Sequence, residues 1–216
     1  RGGINDIWVA RTDGSSLVQI THNFHTSNGA PSWSPDGRWL AFDSLPPGPA
    51  VHDVWVVSAS GGQPRRLTHP PGPNSSPSWS RNGRFVYFTS GRTGRFEIWR
   101  VPAARGPAVQ VTSGGGFLAM ESADAKTLFY IKSNMGNEGL FALPLAGGAE
   151  RRVVPHDIVR NCFWPAPGGV YYITPRDPEW CDLRYYDMAS GSSRVISPVQ
   201  RPLAFRLSAT PDQRTF

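Results

Sequence analysis

Two histidines, His22 and His25, form a His-x-x-His pair, which could supply ligands to zinc. However, His69 follows Leu67-Thr68 just as His22 follows Ile20-Thr21, which indicates that the two histidines are structurally equivalent. A zinc site also needs three or four ligands. We therefore predict no zinc site at this pair.

Three aspartates could supply ligands to calcium: Asp36, Asp124 and Asp212. Each falls in a turn of a repeated hairpin pattern. An Asp side chain at a turn accepts hydrogen bonds from its own backbone, which explains these residues without a metal. The prediction is no metal site and no cofactor.

Among the carboxylates, Glu121 is the main candidate for a functional residue. It stands where two related segments place Trp33 and Trp79, so an acid replaces a packing aromatic. A buried carboxylate must be paired, or its pKa rises. The structural explanation is a bond to an arginine or to backbone N–H groups. The functional one is a carboxylate at a channel mouth that recognises a ligand.

Catalytic motifs are absent from the sequence. It contains no Gly-x-Ser-x-Gly nucleophile elbow, no Gly-x-x-x-x-Gly-Lys phosphate loop and no His-Glu-x-x-His zinc helix. We therefore predict that this chain is not an enzyme. The net charge is +6, but the basic residues are dispersed along the chain rather than gathered on one face, so we predict no nucleic-acid contact.

The elements that would position these residues form an internal repeat, because three signals recur in step every 42 to 47 residues. A hairpin with Asp-Gly or Asn-Gly between apolar segments occupies 31–42 and 77–88, with weaker copies beginning at 121, 163 and 211. An aromatic strand occupies 6–9, 53–56, 97–100, 140–143 and 183–186. A short β-branched strand occupies 18–21, 65–68, 109–112, 151–154 and 194–197.

A four-stranded unit of this length is typical of a β-propeller blade. Asp-Gly and Asn-Gly favour two-residue hairpin turns, and one blade cannot bury both its faces alone. The predicted fold is all-β: a β-propeller of four-stranded antiparallel blades, incomplete, with four whole blades and two partial ones in a single domain over 1–216. The predicted units are 1–21, 22–68, 69–112, 113–154, 155–197 and 198–216. Because Phe216 falls in mid-strand we expect a piece of a longer propeller; the alternative is a five-bladed ring closed by the terminal half-blades.

Partners of a propeller bind at the mouth of its central channel, which the innermost strands and their preceding loops line. Counting back from the Trp position of each hairpin, the polar residues at this place are Asn28, Asn74, Arg160 and Arg206, with Gly116 in the third unit. Together with Glu121, the four polar residues are the predicted ligand-binding set. The alternative is a solvated channel wall.

The hairpin Pro-Ser-Trp-Ser-Pro-Asp-Gly-Arg-x-Leu-Ala-Phe at 31–42 resembles the WD40-like (PD40) repeat of TolB-type propellers, and the resemblance covers essentially the whole chain. The segments 6–9, 63–68, 97–102 and 207–212 are similar to the C-terminal propeller of certain bacterial signalling proteins, common in acidobacteria. Those proteins carry a winged-helix DNA-binding domain or a serine/threonine kinase domain. The resemblance implies a non-catalytic sensory module whose partner is a protein or peptide.

Two other functions stay open at this point. TolB-like propellers also cap prolyl-oligopeptidase-type serine peptidases, so the chain could be the gating propeller of such an enzyme. The other is chemistry within the channel, as in metal-dependent lactonases or lyases.

The remaining expectations concern compartment. Cys162 and Cys181 are expected to be buried thiols rather than a disulfide. No apolar run reaches the roughly 18 residues of a membrane span, so none is predicted. A bacterial source is expected, with an extracytoplasmic compartment favoured over the cytoplasm.

Overall fold

The computed structural model describes residues 5–48, 50–134, 137–159 and 161–200, and all regular structure within them is β-strand. Four sheets have four antiparallel strands each and a fifth has two, which confirms the predicted all-β class and its four-stranded blades. The hairpin predicted from residue 211, including Asp212, lies outside the described residues. No helix in the described part of the chain has the length and apolarity needed to cross a membrane.

Each four-stranded sheet follows chain order, so its strands are named A to D from first to last. The two-stranded sheet pairs β1 (Trp8–Val9) with β2 (Val18–Gln19), which correspond to strands C and D of a blade. Blade 1 contains β3 (Ser27–Trp33), β4 (Trp39–Leu45), β5 (Asp53–Ser58) and β6 (Arg65–Arg66). Blade 2 contains β7 (Asn74–Trp79), β8 (Phe85–Ser90), β9 (Glu97–Pro102) and β10 (Val109–Gln110). Blade 3 contains β11 (Phe117–Glu121), β12 (Thr127–Ile131), β13 (Leu140–Pro144) and β14 (Arg151–Val154). Blade 4 contains β15 (Phe163–Ala166), β16 (Gly169–Pro175), β17 (Trp180–Asp187) and β18 (Ser192–Gln200).

The A–B hairpins differ from the predicted two-residue turn. In blade 1 the N–H of Ser34 donates to the carbonyl of Trp39 at 2.8 Å, so four residues lie between the closing pair. Within this loop Asp36 accepts from the Ser34 hydroxyl (2.6 Å) and from the N–H of Arg38 (3.1 Å). A loop of this length needs positive φ at Gly37 alone, whereas the predicted turn needs it at two residues. The two-residue prediction is therefore wrong for this hairpin.

Strand A of blades 1 to 3 carries a bulge at the same place. Its register shifts coincide with positive φ at three non-glycine residues, Ala30 (48°), Ser76 (53°) and Leu118 (41°). In blade 2 the bulge turns the N–H of Ser76 toward blade 1, where the carboxylate of Asp43 accepts it at 2.8 Å. The extra residue thus links neighbouring sheets.

The chain divides into two compact units, 1–115 and 116–216, each with its own core. In the first unit, Val54 and Val56 of blade 1 pack against Val86 and Phe88 of blade 2. In the second unit the largest core cluster contains side chains from blades 3 and 4, among them Phe129 and Tyr172. Sheets that pack on their neighbours in this way explain why single blades carry apolar residues on both faces.

Candidate binding site

Most buried polar residues of the first unit lie at one end of its sheets, which we call the upper end. It is the end at which strands A and C begin and strands B and D finish. Connections from strand D to the next strand A, and from strand B to strand C, emerge here. Such connecting loops carry binding residues in many folds because the rigid strands hold them in place.

A carboxylate and a threonine repeat at the upper end, forming what we call the carboxylate–threonine clasp. The carboxylate stands two residues before the aromatic of strand C, and the threonine follows strand D. In each pair the threonine hydroxyl donates to the carboxylate at 2.6–2.8 Å and accepts the N–H of the residue after the carboxylate at 2.8 Å. The pairs are Asp6 with Thr21, Asp53 with Thr68, and Glu97 with Thr112.

Asn74, a predicted ligand contact, is fully buried and joins this clasp. Its side-chain N–H group donates to Asp53 at 2.9 Å, and its oxygen accepts from Ser90 at 2.7 Å and from Arg92 at 3.0 Å. Both the nitrogen and the oxygen of the Asn74 side-chain amide are therefore hydrogen-bonded to other groups of the chain. Asn74 positions Asp53 and Arg92 rather than facing solvent.

Asn28 has the same role one blade earlier. It is 4% exposed, donates to the carbonyl of Asn5 at 2.8 Å and accepts from the hydroxyl of Ser44 at 2.6 Å. The repeat placed Asn28 and Asn74 correctly as equivalent residues at the start of strand A. Their burial means that a ligand would contact the groups around them.

Arg92 is the half-buried cation of this network, and no sequence motif marks it. Its guanidinium lies 4.5 Å from the ring centroid of Trp99 and 5.5 Å from that of Phe88, and its Nε donates to Ser90 at 2.9 Å. Burial lowers the pKa of Arg92, and the nearby Asp53 charge opposes that shift. Asp53 also forms an ion pair with Arg66, so two cations, Arg66 and Arg92, act on the same buried carboxylate.

Glu121 is buried, with 6% of its surface exposed, and is the last residue of β11. It pairs with Leu128 as Trp33 pairs with Leu40 and Trp79 with Val86, which confirms the predicted equivalence. Five residues separate this position from the asparagines of blades 1 and 2, so at about 3.3 Å per residue it lies roughly 16 Å from the strand A position that they occupy. Glu121 therefore occupies the other end of its blade. Arg160 and Arg206 lie outside the described residues.

Three of the metal candidates, His25, Asp36 and Asp124, have structural partners. Nδ1 of His25 lies 2.7 Å from the Ser44 hydroxyl, and its ring packs at 5.1 Å from that of Trp55. Asp124 accepts from Ser122 and from the N–H of Lys126, and these bonds lower the pKa of Asp124 as the equivalent bonds do for Asp36. In the part of the chain that the structure describes, no three His, Cys, Asp or Glu residues come together as metal ligands.

The two cysteines are buried, are not disulfide-bonded, and share one apolar cluster of blade 4. Burial raises the pKa of Cys162 to about 11, so roughly one molecule in a thousand carries its thiolate at pH 8. We expect a disulfide-exchange reagent such as DTNB to titrate neither thiol in the native chain, and both after unfolding in urea without reductant. If unfolding released thiols only after reductant was added, the cysteines would be paired instead.

An open groove of about 550 Å³ lies at the other end of blades 1 and 2, between their A–B hairpins. Its walls include Trp39 and Trp79, with Asp36 and Arg81 at the hairpins. Trp39 is 41% exposed, and the indole N–H of Trp79 donates to the carbonyl of Ser32 at 3.0 Å. This groove holds none of the predicted ligand-binding residues.

Comparison with known proteins identifies relatives of this architecture. The family model described as the TolB beta propeller domain (PD40) matches residues 2–165. The chain is 41% identical over 69 residues to an uncharacterized protein of Agrobacterium fabrum, a stretch that covers 32% of this chain and 23% of that protein. It is 40% identical over 67 residues to the uncharacterized peptidase YuxL of Bacillus subtilis, which covers 31% of this chain and 10% of that one.

Among solved structures, the chain is similar to TolB from Acinetobacter baumannii, with a TM-score of 0.71 and 22% identity. The similarity covers 90% of this chain and 51% of that one, so the chain spans about half the length of that structure. The matches to the two curated relatives span less than a quarter of either.

Proposed function

Because the chain belongs to the TolB β-propeller domain family, we propose that it is a non-catalytic module that binds a protein or peptide at the upper end of its blades. TolB-like propellers bind proteins, and this chain lacks the sequence motifs of the common hydrolases. We further propose that it is the sensory or interaction part of a larger bacterial signalling or regulatory protein. Asn28, Asn74, Arg160 and Arg206 remain the candidate residues of the mouth, and Glu121, at the other end of its blade, is a candidate only for a contact there.

The observation that carries this proposal is the network of Asp53, Asn74 and Arg92. Asp53 and Asn74 are almost completely buried, and together they hold a half-buried guanidinium against the Trp99 ring. A cation held in one orientation loses little conformational freedom when it donates to a ligand carbonyl or carboxylate. Arg92 is therefore the residue that we expect a bound peptide to contact.

The test is selection of a phage-displayed random peptide library against the chain, followed by fluorescence anisotropy with the best recovered peptide. Arg92→Met retains an apolar side chain over Trp99 but removes the guanidinium donors. We expect binding at least about tenfold weaker, as for a central interface arginine. Thermal unfolding of the variant checks that it is folded.

The matched control is Arg176→Met, which removes an exposed arginine of the second unit. Its affinity should equal that of the unmodified chain. Equal affinity of the Arg92→Met variant, or a selection that recovers no peptide, would refute binding at the upper end.

The 40% identity to a peptidase over part of the chain favours a second candidate, a gating propeller of a serine peptidase. That function requires an α/β-hydrolase segment with Gly-x-Ser-x-Gly in the same gene. Sequencing the gene on both sides of this region decides between the two, since a regulatory or kinase domain there supports the first.

A further inference from the structure

A second opening lies between strand D of blade 1 and the segment that joins strands C and D of blade 2. This basic cleft has a volume of about 340 Å³. Arg65, Arg66, His69 and Arg105 line it, and no Asp or Glu is among its lining residues. Its apolar wall includes Leu67 and Pro102.

Two of the three arginines lack a counter-charge. Arg66 is paired with Asp53. The terminal nitrogens of Arg65 donate hydrogen bonds to the carbonyls of Ala103 and Ala104, at 2.6 and 2.8 Å. These carbonyls carry no charge, so the positive charge of Arg65 is uncompensated. Arg65 and Arg105 form no salt bridge among the described residues. Burial lowers the pKa of Arg65, and the positive charge of Arg105 lowers it further, which places the two cations within each other's field.

The arrangement of donors favours an extended acidic segment over a single phosphate. A phosphate cradle needs several donors aimed at one point, whereas each terminal nitrogen of Arg65 already donates one hydrogen bond to a carbonyl and Arg66 is engaged by Asp53. What the cleft offers is positive charge spread along a partly apolar wall. Strand β6 (Arg65–Arg66) is also the edge strand of its sheet, beside which an extended chain can lie.

We propose that the basic cleft binds an extended, acidic segment of a partner protein, with carboxylates facing Arg65 and Arg105. Side chains between the carboxylates would pack on Leu67 and Pro102. The cleft shares Arg66 with the upper-end network, but Arg92 and Asn74 are not among its lining residues, so either proposal can fail without the other.

The probe is a fluorescein-labelled twelve-residue peptide of alternating Glu and Val, followed by anisotropy at low salt. Arg105→Glu reverses the charge of an exposed side chain and should weaken binding by about fivefold or more. Arg176→Glu makes the same change of net charge in the other unit, and we expect it to bind within about twofold of the unmodified chain. Affinity should fall with added salt.

Four results would overturn the proposal. Equal binding of the same peptide with Gln in place of Glu, or an equal loss in both variants, would show that the charge of the cleft has no role. Displacement of the peptide by inorganic phosphate beyond that caused by sodium chloride at the same ionic strength, or Arg105-dependent binding of phosphatidylserine vesicles with no peptide binding, would indicate a phosphate-bearing ligand. Circular dichroism of each variant shows that it is folded.

Discussion

Replacing Asp53 by alanine should lower the free energy of unfolding by about 3 kcal/mol. The Asp53 side chain is almost completely buried and accepts from Thr68 at 2.7 Å and from Asn74 at 2.9 Å, while forming an ion pair with Arg66. Its removal leaves two buried donors and a guanidinium without a partner. The guanidinium side chain is 33% exposed, so water recovers part of the loss, which places the value at the low end for a broken buried pair. Urea unfolding followed by tryptophan fluorescence measures it.

Asp13→Ala is the matched control, because Asp13 accepts from Ser15 in a turn but is 64% exposed. Its cost should stay within about 1 kcal/mol. Asp53→Asn retains a hydrogen-bonding side chain but loses the charge, and should fall between the two. Equal losses for Asp53→Ala and Asp13→Ala would show that the clasp contributes nothing beyond an exposed turn.

Gly139→Ala should destabilise the chain by about 3 kcal/mol or more, or prevent folding. Gly139 has a φ of 79°, and a Cβ there would overlap the carbonyl oxygen of Val154. A backbone atom cannot give way as the end of a long side chain can, so the strand pairing of Leu140 with Val154 must shift. Urea unfolding of the variant measures the cost.

Gly147→Ala separates the cost of the positive φ from the cost of the overlap with Val154. Gly147 also has a positive φ (104°), but a Cβ there would meet nothing within 4 Å. It should cost about 1 kcal/mol, the penalty of the backbone conformation alone. If both variants lost the same amount, the close approach to Val154 would not be the cause.

Gly139 also shows how one blade departs from the repeated clasp. It occupies the place two residues before the strand-C aromatic, where Asp53 and Glu97 stand in blades 1 and 2, and Val154 replaces the threonine that follows strand D. Blade 3 therefore joins the ends of strands C and D by direct backbone contact. The carboxylate–threonine clasp could have been found in the sequence, because Asp or Glu and Thr keep the same spacing in three units. The three strand signals alone did not identify these residues.

The repeat was predictable because it depends on local chemistry that recurs many times. The aromatic strands, the Asp-Gly and Asn-Gly turns and the β-branched strands each locate one strand, and their common period defines the four-stranded blade. The hairpin loop was not predictable in detail. The hydroxyl of Ser34 bonds both Asp36 and the N–H of Trp39, and this stabilises a longer loop than the Asp-Gly pair indicates.

The amino-acid sequence by itself determined the all-β class, the blade and the equivalence of Asn28 with Asn74, because each follows from periodicity along the chain. Only the tertiary structure decided what those asparagines contact, since burial and hydrogen-bond partners depend on neighbouring blades. The same holds for Arg92 over Trp99 and for Arg105 beside Arg65. These contacts join residues that are separated in the sequence, so no local sequence pattern predicts them.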